Sequence, residues 1–187
     1  VYDDSLCLTA VCFEKTRLAQ ARVDVAETAD SKEAGGRLAK MLPHEGLDHV
    51  LVFSDGLHVN GTELADGLTR NLPPGVTVTG GLAGDGSRFQ ETLVVYGEQA
   101  ASGIITALGL YSESLRVGYG SLGGWDPFGP ERLITRSEGN VLFELDNKSA
   151  LDLYKTYLGK HADGLPASGL LFPLSLRFPD QERGDVV

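Results

Sequence analysis

Two stretches of this chain carry complete helix punctuation, and an apolar run lies between them. Asp30 is followed three residues later by Glu33, and Asn60 by Glu63. At that spacing a side chain can satisfy the first backbone N–H groups of a helix, which otherwise have no partner. Ala34, Leu38, Met41 and Leu42 then recur at helical spacing until Pro43, and Leu64, Leu68 and Leu72 recur until Pro73 and Pro74. Between them, residues 50–53 form a short continuous apolar run, the pattern of a strand buried on both faces. Residues 76–79 supply the next strand. Strand, helix and strand in this order close a βαβ unit with a parallel pair.

The flanks read as antiparallel structure. Residues 6–13 are apolar and small, as in a strand, and residues 17–25 return as its hairpin partner across the polar turn 14–16. Beyond Gly80, residues 93–96 and 104–111 are strands joined by the loop 97–103, and residues 115–119 alternate as a further strand. Residues 133–136 and 141–145 flank Ser137-Glu138-Gly139-Asn140, a hairpin turn sequence. Ser149 caps a third helix that Gly159 stops. The expected fold is α/β (α+β): a mixed β-sheet sandwich with a βαβ unit, an antiparallel meander and about three flanking helices. Residues 1–159 form one domain. Residues 160–187, with an apolar stretch at 170–176 broken by Pro173, open a second that is incomplete.

Charge narrows the function classes. With 26 acidic against 16 basic residues the net charge is −10, and no basic stripe is present to neutralise nucleic-acid phosphates or anionic lipid. No apolar run approaches the roughly 18 residues of a membrane span. The chain opens Val1-Tyr2-Asp3-Asp4, without the basic start of a secretory signal, so a cytoplasmic location is expected. The two cysteines, Cys7 and Cys12, are five apart in the first apolar run. On a strand they face opposite sides, unable to bridge or to share a metal, and read as core residues.

Several motifs invite chemistry. His44-Glu45-Gly46-Leu47-Asp48-His49 approaches the zinc motif H-E-x-x-H, but the second ligand position is Asp48 and Gly46 interrupts any helix, so it reads as a surface loop. Ser54, in Phe53-Ser54-Asp55-Gly56, has only one of the glycines of a nucleophile elbow, and His58 alone does not complete a triad. Catalysis is not expected, with hydrolysis at Ser54 kept as an alternative. Gly80-Gly81-Leu82-Ala83-Gly84-Asp85-Gly86 follows a strand, and reads either as a structural bend or as a loop whose open N–H groups meet a small ligand. Gly84 is expected there at positive φ.

If the two central strands are parallel, residues 54–56 and 80–86 leave the same carboxyl edge, where open α/β sheets take ligands. The candidate ligand-binding set is Ser54, Asp55, Gly56, Gly80, Gly81, Gly84, Asp85, Gly86 and Arg88. Asp55 and Asp85 would hold a cationic group and Arg88 a carboxylate, which suits an amino-acid-like zwitterion. A second glycine-rich patch, residues 118–129, carries Tyr119, Trp125 and Phe128; these either wall a second pocket or plug the end of the sandwich. No cofactor or metal is expected. A haem-bearing gas sensor is the alternative, with His44, His49, His58 and His161 as the only imidazole donors.

The strings Val52-Phe53-Ser54-Asp55-Gly56 and Val78-Thr79-Gly80-Gly81-Leu82-Ala83-Gly84-Asp85 resemble the core of the FIST N-terminal domain. Gly120-Ser121-Leu122-Gly123-Gly124-Trp125, Glu138-Gly139-Asn140-Val141, Leu145-Asp146, Ala150-Leu151 and Tyr157-Leu158-Gly159 resemble its second half, and residues 170–176 the first segment of the companion C-terminal domain. Set against that family, the chain begins after a first strand and its small-residue loop. The resemblance implies an input module of intracellular signal transduction that senses small ligands, with amino acids the usual proposal. Such modules in bacteria feed kinases, cyclases or methyl-accepting partners, so a downstream signalling protein is an expected partner.

Overall fold

The structure is a computed structural model that describes residues 5–120, 125–126, 128–179 and 185–186. It divides into two compact units, one of residues 1–84 and 91–119, the other of residues 85–90 and 120–187.

The first unit is built on the βαβ pattern. Its elements are β1 (Arg17–Asp24), α1 (Ser31–Met41), β2 (Leu47–Ser54), α2 (Gly61–Asn71), β3 (Thr77–Leu82), β4 (Val94–Tyr96), β5 (Gln99–Ala101) and β6 (Ile104–Tyr111). Both helix starts form as their sequences dictate. The Asp30 carboxylate accepts from Glu33 N–H while Glu33 reaches back to Ala29 N–H, and Asn60 Oδ1 accepts from Thr62 and Glu63 N–H. The four-stranded sheet runs β1-β6-β2-β3, with β2 and β3 parallel and the other pairs antiparallel.

Register decides what each face carries, since directly opposed residues share a side. Ala19, Gly109, Val50 and Val78 form one inner row, and Ala21, Ala107, Val52 and Gly80 the next. The helices bury this face through Leu38 and Leu42 of the first and Leu64, Leu68 and Leu72 of the second. Each such leucine contributes roughly 1.5–3 kcal/mol by leaving water. Met41, at the edge of the helical stripe, turns to solvent instead. The helices cross so closely that a Cβ on Gly35 would lie 2.4 Å from Leu64 O and one on Gly67 2.1 Å from Lys32 O. Two glycines therefore set the interhelical distance.

Several expectations change. Residues 6–13 are irregular and not a strand, with Leu6 92% and Leu8 86% exposed, and Cys7 and Cys12 lie on the surface instead of in the core. The ladder partner of β1 is β6. A segment apolar on both sides needs cover on both, and beside β1 the helices cover only the inner face. For the same reason β2 is not buried on both faces: Val50 and Val52 are buried, but Phe53 on the outer face is 50% exposed. Residues 115–119 also leave the strand pattern, because Ser112 Oγ accepts the N–H groups of both Ser114 and Leu115 and turns the chain. The loop 97–103 contains β5, paired with β4 as a hairpin.

The second unit holds a three-stranded antiparallel sheet of β7 (Ile134–Glu138), β8 (Val141–Leu145) and β9 (Lys148–Ser149), followed by α3 (Ala150–Leu158). The turn at Gly139-Asn140 forms as expected, Ser149 caps the helix through Asp152 N–H, and Gly159 ends it at φ +55°. Asp146 and Asn147, both at positive φ, make the tight β8–β9 turn, and the Asp146 carboxylate accepts from Arg132 and from Leu133 N–H. The architecture is a mixed α/β one, with a parallel pair, antiparallel hairpins and three helices.

Two outcomes check this account. Gly35→Ala should lower stability by about 1–3 kcal/mol, read from the urea midpoint, because the helices must separate to admit one methyl group. Ellman's reagent should label both cysteines in native buffer at the rate seen in denaturant; a protected thiol would mean that residues 6–13 are packed.

Candidate functional site

The parallel pair brings the two glycine-containing motifs to one edge. Ser54 is in register with Leu82, and the ladder runs on through Ala83 N–H to Ser54 O. Beyond it lies Asp55, fully buried, and all its hydrogen bonds come from inside the first unit. Its Oδ1 accepts from Leu57 N–H at 2.8 Å, His58 N–H at 2.8 Å and His58 Nδ1–H at 3.0 Å. Its Oδ2 accepts from Thr92 Oγ1 at 2.9 Å, Gly103 N–H at 3.1 Å and Ser102 Oγ at 3.3 Å. Thr92 Oγ1 in turn accepts from Gly56 N–H at 3.0 Å. Burial alone would raise the Asp55 pKa, but the donors from Gly103, His58, Thr92 and Leu57 outweigh it and hold the carboxyl well below the usual range. The ionised carboxylate thus ties the end of β2 to the start of β6 and to the segment before β4.

The other candidates divide by what a side chain or ligand would meet. Ser54 is buried, and its Oγ donates to Asp55 O at 3.1 Å, while His58 is held by Asp55. No nucleophile–base contact forms between Ser54 and His58. Gly80 and Gly81 lie within β3, not in a loop after it. A Cβ on Gly80 would sit 1.9 Å from Val52 O, and one on Gly56 1.9 Å from Ala83 O, so both glycines serve close backbone approach. Gly81 and Gly84 have open space around them, and Gly84 does not take positive φ. Asp85, Gly86 and Arg88 belong to the second unit. There the Asp85 carboxylate accepts from Phe89 and Gln90 N–H and closes a turn, Gly86 is at φ +70°, and Arg88 is exposed.

Of the aromatic patch, Tyr119 in the first unit and Trp125 and Phe128 in the second are 70%, 52% and 74% exposed, so none plugs a core. Residues 121–124 and Pro127 of that stretch lie outside the described residues.

The imidazoles are engaged separately. His44 Nε2 is 2.9 Å from Ala39 O. His49 is buried on the outer face of β2, its nitrogens 2.6 Å and 2.9 Å from the hydroxyls of Thr77 and Thr79. Leu47-Asp48-His49 is therefore the start of a strand and not a surface loop. Burial pushes the His49 pKa down, with Asp48 opposing. The His161 and Phe172 rings lie 5.1 Å apart, tilted by 46°. Among the described residues no three of His, Cys, Asp and Glu gather as a metal-binding group, and no helix is long and apolar enough to cross a membrane.

The residues that sequence reasoning missed are Thr92, Ser102 and Gly103. They lie 37 to 48 positions from Asp55, and no local pattern announces them. His58 carried a signal, since an aspartate three residues before it can close a turn on both its N–H and its ring.

The FIST N domain family matches residues 1–148. The chain belongs to the FIST family, whose members are sensor domains of signal transduction. Comparison with curated proteins and with solved structures returned no match.

Acid should weaken the fold in two stages. A histidine with a lowered folded pKa stabilises above its ordinary value of 6.5 and loses that contribution as pH falls through the folded value. Asp55, lowered likewise, contributes fully above its ordinary value of 3.8 and progressively less below it. Urea midpoints between pH 3 and pH 8 should show both declines. Asp55→Asn should shrink the lower one, to which Glu33 and Asp66 also contribute, and cost on the order of 3 kcal/mol at neutral pH. An unchanged midpoint would deny the carboxylate its structural role.

Proposed function

We propose that this chain is the ligand-binding input domain of a signal-transduction protein, that its ligand is a small molecule of the amino-acid class, and that it works by binding and not by catalysis. The observation that carries the reading is membership of a sensor family over residues 1–148. In this reading Ser54, Asp55, Gly56 and Gly80 hold the sheet edge in shape, while His58, Gly81 and Gly84 are what that edge turns outward. Hydrolysis by Ser54 is disfavoured, because its hydroxyl donates to a backbone carbonyl and His58 is bonded elsewhere. A ligand that binds the folded state alone raises stability by about 2.7 kcal/mol at 100 times its dissociation constant. In a thermal-shift series with each of the twenty amino acids, at least one should raise Tm. If none does, while a nucleotide or a haem precursor does, the amino-acid reading is wrong.

A further inference from the structure

At the opposite end of the sheet from Asp55, an open cleft of about 660 Å³ lies where β1 begins and β6 ends. That volume is in the range of small-molecule sites. Lys15, Arg17, Glu45, Tyr111, Glu113 and Ser114 line it, all within the first unit. Two cations and two carboxylates thus share one cleft, yet among the described residues none of the four enters an ion pair. Elsewhere in the same unit some exposed charges pair, as in Lys32 with Asp66 and Arg37 with Glu33, and among the described residues others such as Glu27 and Lys40 do not; the cleft is set apart by gathering two of each sign.

The floor is stiff. The Tyr111 ring lies back along β6 over Gly109, where an added Cβ would come within 2.9 Å of its hydroxyl, and the Arg17 guanidinium sits 3.9 Å above the ring centroid. A guanidinium held by a ring and by no carboxylate keeps N–H donors for an oxyanion. Tyr111 itself is buried, with its hydroxyl unpartnered among the described residues.

We infer that this cleft is the ligand site of the domain and takes a small zwitterion, its carboxylate at Arg17 and Lys15 and its ammonium at Glu45 and Glu113. The inference rests on the sensor reading above and adds the place and the charge pattern. A ligand with both signs meets all four unpaired charges at once, whereas a simple anion or amine leaves two of them facing like charge. The carboxyl edge has no comparable set, since Asp55 is filled by its own donors.

The test measures binding of each of the twenty amino acids by thermal shift and calorimetry, with propionate and ethylammonium as single-charge controls. The proteins are the parent chain, Lys15→Gln, Glu113→Gln and Gly84→Val. The two cleft side chains are exposed and unpaired, so apo Tm should not move and a loss of binding reads the site itself. The expected result is an amino acid that binds the parent and Gly84→Val alike, and binds each cleft variant at least tenfold more weakly. Parent-like affinity in both cleft variants overturns the cleft and leaves the sensor reading standing. Propionate or ethylammonium binding as tightly as the zwitterion overturns the two-charge recognition. If no amino acid binds the parent, both the cleft and the amino-acid reading fall.

Discussion

The buried carboxylate of Asp55 is the interaction on which the sheet edge depends. An ionised carboxylate removed from water is costly unless its lone pairs are filled. Here they are filled by donors from the turn after β2, from Thr92 and from the two residues before β6. The requirement runs both ways. The carboxylate needs these segments close, and Gly103 N–H, His58 N–H and Leu57 N–H need an acceptor where the chain leaves the ladder. Such a group fixes conformation even where its net contribution to stability is modest, because each alternative arrangement strands a charge or a backbone donor.

Close approach of backbone is the second constraint, and glycine meets it at separate places. Gly35 and Gly67 let α1 and α2 touch, and Gly56 and Gly80 let the two parallel strand ends lie against Ala83 and Val52. The helices cover the inner face, and β6 is buried on its outer side as well, at Ile104, Thr106 and Leu110. The outer face carries Leu18, Leu110, His49 and Thr77 in one row and Gln20, Leu108, Leu51 and Thr79 in the next. That mixture explains how Phe53 can stand half exposed while His49 stays buried between threonine hydroxyls.

Charge in this protein is deployed in two ways. Around Asp55, and in pairs such as Arg132 with Asp146, charges are neutralised by neighbours and serve shape. In the cleft at the far end of the sheet Lys15, Arg17, Glu45 and Glu113 enter no ion pair among the described residues, and Arg17 lies over the Tyr111 ring. Unpaired groups favour recognition because the ligand need not first break internal bonds.

The sequence by itself determined whatever depends on neighbours a few residues apart. Capping at Asp30, Asn60 and Ser149, the leucine stripes, the βαβ order, the Gly139-Asn140 turn and the family itself were legible because each is set by local hydrogen bonds or periodic burial. Tertiary structure alone decided the strand order β1-β6-β2-β3, and with it the fate of residues 6–13, whose apolar pattern says strand but whose neighbours offer cover on one side only. It also decided the roles within the site. A sequence can show that Asp55 precedes a glycine at a strand end. It cannot show that the donors filling its second oxygen lie 37 to 48 residues on, and only those donors make it an internal anchor in place of a ligand contact.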